Sequence, residues 1–564
     1  MSRPINPLRT EFSQRTRAYN LARLRAELFD ILVIGGGIGG AAIARDAVLR
    51  GYKVALVEKN DFGSGASSQS NKLVQGNIAY LETLDLWSLY RAAQERNRLL
   101  QVAPHHVWPL QFIHVIGRND LRDPRQWNRR LFVYDLLSFA RSSRRHHMLS
   151  EEQTCGAVPG LDRRAIAGGA LFYEAQTDDS RLTLEVIRSA HRRGAVIVNH
   201  FQVEDLAAST GKRIDGVFGR DIFADEFITA RARIVVNAAG PWADSILAMD
   251  ARDHPSRQSL SRTVHILVPW NKFPIRQGVS FTNPDTQQLL FAEPYAGFSL
   301  VGPSERIFDG DPDAVHAQLE DIDLVLNSIR KAFPGLDLSR QDIISTFAGL
   351  RAQVAAEGGP LSGLVARDHT IWTTPAGLLN VVGGDLTTHR ATAEEVVNHA
   401  AAILRHEFGV RPARPRRSAR VPLVEWRGRG EVLTRAQADT FDSLSEDTRD
   451  YLSRTYGLRL GRLLDHVRSD ARLRSPIVDG FPCIWAEVPH GVEQEMALSV
   501  SDMMMRRLGL FYLVRDGAIE AATEVARYMA RLVDWMDPDV EQQILSYANA
   551  VNMNRWAIRV KAPV

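Results

Sequence analysis

The segment Asp30–Lys59, DILVIGGGIGGAAIARDAVLRGYKVALVEK, constrains the fold of this chain more than any other. An apolar run, a glycine cluster, an alanine-rich amphipathic stretch and a second apolar run predict strand, turn, helix and strand. Gly35, Gly37 and Gly40 stand at G-x-G-x-x-G spacing, with Ala44 and Gly51 at the further small-residue positions. At such spacing the first glycine permits a tight turn, the second lets a pyrophosphate approach the backbone, and the third lets helix pack closely on sheet. The helix N-terminus then offers unpaired N–H groups to an anion. Glu58 closes the second strand, eighteen residues beyond Gly40, where a carboxylate accepts from a ribose hydroxyl. Three glycines alone are a weak signal; with strand, helix and terminal acid in place they predict a dinucleotide site. The competing reading is a doubly wound domain whose glycines serve packing only.

Two later segments favour FAD over a nicotinamide. VVNAAGPWADSI runs a strand into the Gly240-Pro241 turn, and VVGGDLTTHRATAEEVV runs a strand into Gly383-Gly384 and a helix starting near Thr387 or Thr388. A helix N-terminus there stabilises the negative charge that builds on a flavin's N1–C2=O edge on reduction.

At 564 residues the chain predicts two or three domains, and a net charge of +3 argues against nucleic acid as a partner. Two cysteines, Cys155 and Cys483, make no disulfide framework and no metal spacing, in keeping with a reducing, cytoplasmic setting. The longest apolar run is bounded by Asp30 and Arg45 and is full of glycine, so no membrane-spanning helix is expected. The expected organisation is a basic extension over 1–28 and a discontinuous cofactor domain over 29–104, 166–250 and 346–405. A substrate domain over 105–165 and 251–345, a linker over 406–430 and a helical domain over 431–564 complete it. Leu21, Leu24 and Leu28 recur at helical spacing, predicting a short helix packed on the body or lying on acidic lipid. The stretch LLFAEPYAGFSLVG predicts antiparallel sheet, and EMALSVSDMMMRRLGLFYLV and AATEVARYMARLVDWM predict helices.

Over nearly its full length the chain resembles the FAD-dependent glycerol-3-phosphate dehydrogenase family. The carriers are the glycine segment, SSQSNKLVQGNIAYLE, ERNRLLQVAPHHVWPLQF, WNRRLFVYDLL, DDSRL, NAAGPW, HILVP, FDGDP, FAGLR, GGDLTTHR and SDMMMRRLGL. The resemblance implies an α/β, Rossmann-like flavin-binding domain, an antiparallel β substrate domain and an α-helical C-terminal domain. It implies dehydrogenation of a secondary alcohol, electrons passing to quinone or oxygen, and peripheral contact with the inner face of the cell membrane. A homodimer is compatible with it. His265 in TVHILVP and Arg351 in FAGLRAQ match the residues near the reacting carbon. A histidine suits the base that takes the hydroxyl proton, and an arginine orients the oxygen. On the residues alone, a satisfied strand histidine and a structural arginine would be the plainer readings. Gly35, Gly37, Gly39, Gly40, Glu58, Lys59, Ser67, Ser68, Lys72, Gly76, Val203, Ala239, Gly240, Gly383, Gly384, Leu386 and Thr387 are expected to hold FAD. Tyr80, Gln75, Asp385 and Thr388 are expected at the substrate, and no metal is expected.

The departures from the family pattern gather at the substrate. Where the family reads close to KLIHGGLRYLE, this chain has Gln75, Asn77 and Ala79 in place of histidine, glycine and arginine. Asp385 replaces a lysine, and Gly302–Glu305 reads GPSE instead of GTTD. In the family that arginine and lysine help hold the substrate's phosphate, so two cations are lost and one carboxylate gained. One unit pair at 4 Å and an effective dielectric of about 20 is worth about 4 kcal/mol before screening, so phosphate affinity is expected to fall by powers of ten. The expected substrate is therefore an alcohol or amine without phosphate. Glycerol 3-phosphate itself, and a catalytically silent flavin-bound interaction protein, are the alternatives.

Overall fold

The computed structural model describes residues 11–76, 78, 85–120, 122–138, 145–208, 213–250, 258–283, 285–354, 369–424 and 433–559. Two sheets face one another across a deep cleft. The first has the strand order His369–Thr373, Leu379–Gly383, Glu226–Asn237, Leu28–Ile34, Val54–Val57, Val196–Val198. Its four inner pairings from Leu379–Gly383 to Val196–Val198 are all parallel. Phe201–Ala207 and Gly216–Asp221 continue antiparallel from Glu226–Asn237.

Parallel strands are covered on both faces, and the alternation in Leu28–Ile34 shows it. Ile31 and Val33 pack with Ile43, Val186 and Val396, from the helices Ile38–Arg50, Asp179–Arg192 and His389–Phe408. Leu32 and Ile34 pack with Leu24 and Ile246 on the opposite face. Leu24 belongs to the helix Gln14–Ala26, whose Arg17 is buried against Asp221 at 2.6 Å. The N-terminal helix is thus fixed on the body, and Leu28, expected on its stripe, starts the first strand instead.

The second sheet runs Ser345–Val354, Gln258–Pro269, Phe298–Phe308, Leu289–Tyr295, Gly278–Thr282, Val107–Gly117, Ile166–Thr177, Leu73–Val74. Its pairings along that order are antiparallel except Gly278–Thr282 with Val107–Gly117. Ile166–Thr177 and residues 346–354 were expected with the cofactor domain; both are hydrogen-bonded antiparallel into this sheet, where Ile166–Thr177 pairs with Val107–Gly117 and Ser345–Val354 with Gln258–Pro269. The helix Leu319–Ala332 covers one face through Ile322, Val325 and Ile329, and the other face looks onto the cleft.

The C-terminal region is helical, as its periodicity predicts, but EMALSVSDMMMRRLGLFYLV is not one helix. The helix Glu487–Glu495 stops at Met496, which takes a positive φ of 51°, and Asp502–Arg507 forms a π-helical turn. Tertiary ion pairs set these breaks. Arg181 of the cofactor domain donates to both oxygens of Glu495 at 2.8 and 2.7 Å, and Arg507 to both oxygens of Asp61 at 2.8 and 3.0 Å. The arginine-rich 411–422 stretch is anchored rather than loose: Arg45 donates to the Val421 carbonyl at 2.6 Å. Among the described residues, no helix is long and apolar enough to cross a membrane.

Candidate active site

The cleft between the sheets has a volume of about 540 Å³. One end is built by the glycine turn. Gly35 takes a φ of +110°, and a Cβ there would stand 2.5 Å from the Ala238 carbonyl oxygen, so only glycine fits. A Cβ on Gly40 would overlap the Gly35 carbonyl, which makes Gly40 the helix–sheet contact that the spacing predicts. The helix Ile38–Arg50 begins after Gly37 with no side-chain cap from that residue, although Ser67 accepts from the Ile38 N–H at 2.9 Å. Glu58 accepts from the Gly36 and Asn60 N–H groups at 2.6 and 2.9 Å, tying the turn to the second strand while still lining the cleft. Burial pushes its carboxyl up.

Of the residues expected to hold FAD, Gly35, Gly37, Gly39, Glu58, Lys59, Ser67, Val203, Ala239, Gly240, Gly383, Gly384 and Leu386 line this cleft. Lys59 does so with its ammonium 2.5 Å from Asp313 and over the Trp242 ring. The others are placed differently. Lys72 is buried, its ammonium 2.6 Å from Asp179 and 2.7 Å from the Ser68 carbonyl, and it is not among the residues that line the cleft. Ser68 is buried beside it. The Gly76 N–H donates to Glu174 at 2.7 Å, and a Cβ there would overlap the Tyr134 hydroxyl, so Gly76 serves packing. Thr387 Oγ1 accepts from the Gln75 N–H at 2.9 Å, locking two loops together rather than facing the cleft.

At the other end the cleft is lined by the second sheet. On the strand Gln258–Pro269, Ser261 pairs with Arg351 on one side, and Thr263 pairs with Glu305 on the other. Thr263, His265, Glu305 and Arg351 all line the cleft. Arg351 Nη1 lies 3.8 Å from Glu305 Oε1, and Ser261 Oγ donates to that oxygen at 2.8 Å. His265 sits at a bulge, against Gly302, where any Cβ would meet its ring at 2.6 Å. Both of its ring nitrogens are buried without a hydrogen-bond partner. Burial, with the nearby Lys72 charge second, lowers its pKa to about 3, so the imidazole stays neutral. A buried base with no protein partner is arranged to meet a ligand group.

Gln75 and Asp385 also line the cleft, whereas Thr388 is the N-cap residue of His389–Phe408, and Tyr80 lies outside the described residues. Asp385 Oδ1 accepts from the Thr387 N–H at 3.0 Å, closing the turn ahead of that helix, and the residue borders the cleft. Reading the sequence missed His389 and Thr392, which line the cleft from the first turn of the third helix. Their three-residue spacing on the helix that follows the glycine pair was the available signal.

Comparisons with known proteins agree with this geometry. Residues 30–399 match the family described as FAD dependent oxidoreductase, and residues 416–540 match the C-terminal domain of alpha-glycerophosphate oxidase. The chain is 30% identical over 524 residues to the aerobic glycerol-3-phosphate dehydrogenase of Staphylococcus haemolyticus, covering 91% of this chain and 92% of that protein. It is likewise 30% identical over 532 residues to the Staphylococcus aureus USA300 protein of the same name, covering 92% and 93%. Among solved structures, the FAD complex of the Bacillus halodurans glycerol-3-phosphate dehydrogenase superposes with a TM-score of 0.77 at 28% identity, over 98% and 99% of the two chains. The residues present fit FAD. The glycine turn leaves no room for side chains, the helix N-terminus opens on the cleft, and His265 lines the same cleft with both ring nitrogens unpartnered.

Proposed function

Because this chain belongs to the FAD-dependent glycerol-3-phosphate dehydrogenase family, whose members act on a CH–OH group, we propose that its substrate is an alcohol or amino alcohol without phosphate. FAD, when bound, accepts the hydride. The protein's own residues do the rest. Neutral His265, with both nitrogens free, takes the hydroxyl proton, and Arg351 orients the oxygen and stabilises charge that develops on it.

One observation carries the reading. Among the described residues that line the cleft, the two cationic side chains already face acids: Lys59 faces Asp313 and Arg351 faces Glu305. Asp385 adds a further carboxylate at the glycine-pair end. A desolvated phosphate dianion needs cations or N–H donors of its own. Anaerobic mixing of the FAD-loaded protein with glycerol 3-phosphate, glycerol, larger polyols and amino alcohols tests it. Bleaching of the flavin by a phosphate-free compound is expected; bleaching by glycerol 3-phosphate alone would overturn the proposal. The second reading, glycerol 3-phosphate itself, is favoured by the names of the relatives, and the same experiment separates the two.

A quinone acceptor at a membrane surface belongs to the same proposal. Its support is four exposed apolar side chains on two helices that touch. Trp87 and Tyr90 stack on the helix Leu86–Val102, and Phe132 and Leu136 project from the adjoining helix Pro124–Ser138. Aromatic side chains of this kind favour the lipid interface. Sedimentation with anionic liposomes is expected, and a protein that stays wholly in the supernatant would remove this part.

A further inference from the structure

The structure assigns a proton path from the cleft to solvent through Thr392, His369 and Glu395. Thr392 lines the cleft, and its Oγ1 lies 3.3 Å from His369 Nδ1. His369 Nε2 lies 2.8 Å from Glu395 Oε2. The His369 side chain is 6% exposed and that of Glu395 44% exposed, so the chain begins inside and ends in water. Arg91 holds the outer carboxylate by a hydrogen bond from Nη2 to its other oxygen.

The position of the chain is as telling as its continuity. His369 is the register partner of Gly383, and a Cβ on Gly384 would stand 3.9 Å from both the His369 Cβ and the Thr392 hydroxyl. The imidazole is therefore mounted directly behind the glycine pair that borders the cleft. A His369–Glu395 contact for stability alone would not require a cleft-lining hydroxyl on the second ring nitrogen. An imidazole with a partner on each nitrogen takes a proton at one and releases it at the other.

The reaction supplies the need. Two-electron oxidation of a CH–OH carbon releases a hydride and one proton, and a two-electron acceptor later takes up the hydride's electrons with two protons. One proton leaves the cleft in the first half, and one must enter in the second. Outward, the proton that His265 has taken passes through cleft water to the Thr392 oxygen as the Thr392 hydroxyl proton passes to Nδ1, and the Nε2 proton passes to Glu395 and then to bulk water. Inward transfer reverses each hop and restores the original tautomer, so the two halves of a turnover leave the path unchanged.

The inference rests on the cofactor and not on the identity of the substrate, and its test uses no substrate. Photoreduced FAD-loaded protein is mixed with ferricyanide in weakly buffered solution. Flavin absorbance then follows electron loss, and a pH-indicating dye follows the released proton. In the wild-type chain the two signals are expected to coincide. In His369→Phe and Thr392→Val the dye signal should lag by roughly tenfold or more, and added imidazole should shorten the lag in His369→Phe. Coincident signals in both variants would overturn the path, as would a lag in His369→Phe that imidazole leaves untouched.

Discussion

Arg351 Nη1 and Glu305 Oε1 face each other at 3.8 Å from the two strands that flank Ser261–His265. That distance is too long for a hydrogen bond, while Ser261 holds the Glu305 oxygen at 2.8 Å. The acid therefore offsets the arginine's charge toward an anion while leaving its N–H groups to orient a neutral oxygen. Arg351→Ala is expected to slow flavin reduction by about 10²–10³-fold while FAD stays bound. Glu305→Gln should cost less, because Ser261 can still orient the amide. Stopped-flow absorbance on the FAD-loaded variants checks both, and an unimpaired Arg351→Ala would remove the arginine from the chemistry.

His265 carries a pH prediction. Its folded pKa of about 3 lies below the ordinary histidine value. Between the two, the unfolded chain binds the proton and the folded chain does not, so stability rises with pH across that window and is lost as pH falls through it. Thermal unfolding of wild type and His265→Gln from pH 4 to 7 should show the smaller pH dependence in the variant. In the FAD-loaded enzyme, flavin reduction should show no acid limb near pH 6.5, since the base is already neutral there. His265→Ala should slow that step by about 10²–10⁴-fold at every pH.

Asp385 is the position where charge and specificity meet. Asp385→Lys, alone or with Ala79→Arg, is expected to raise affinity for glycerol 3-phosphate by at least about tenfold, because each cation close to a phosphate contributes on the order of kcal/mol even after screening. Titration of flavin absorbance with the phosphate ester measures it. Asp385→Asn should move the affinity in the same direction by a smaller amount, and no change in either variant would take this residue out of substrate recognition.

The buried Arg181–Glu495 pair joins the helical region to the cofactor domain. Burial works to raise the Glu495 pKa, but Arg181 and Arg188 outweigh it and hold the carboxyl at about 2. Its contribution to stability is present above the ordinary glutamate value and is lost as pH falls toward 2. Glu495→Ala takes a carboxylate partner from three buried arginines, Arg181, Arg188 and Arg507, and should cost about 3–5 kcal/mol. Differential scanning calorimetry checks the loss, and proteolysis should cut first in the helical region.

The glycine turn, Glu58 at its strand end, the Gly383-Gly384 turn and the helix after it were readable because each is a local pattern with a local steric cause. His265 and Arg351 were readable only through likeness to a family; as single residues in alternating strands they look like any half-buried polar positions. Lys72 and Gly76 lie off the cleft lining for one reason. A motif places a residue along the chain, but not which side of the chain faces the cleft. Lys72 turned to Asp179, and Gly76 made room for the Tyr134 hydroxyl.

The sequence by itself determined the cofactor unit and the alternation of the antiparallel strands, and it places an alanine at 79 and an aspartate at 385. These follow from periodicity, backbone freedom at glycine and side-chain chemistry, all of which act within a few residues. Only the tertiary structure decided that Ile166–Thr177 and Ser345–Val354 join the second sheet, and that Arg351 stands across from Glu305. It also decided that His369 links a cleft hydroxyl to a surface acid. Those juxtapositions depend on the register of strands far apart in the chain. Register is set by the packing of whole faces, which no local pattern encodes.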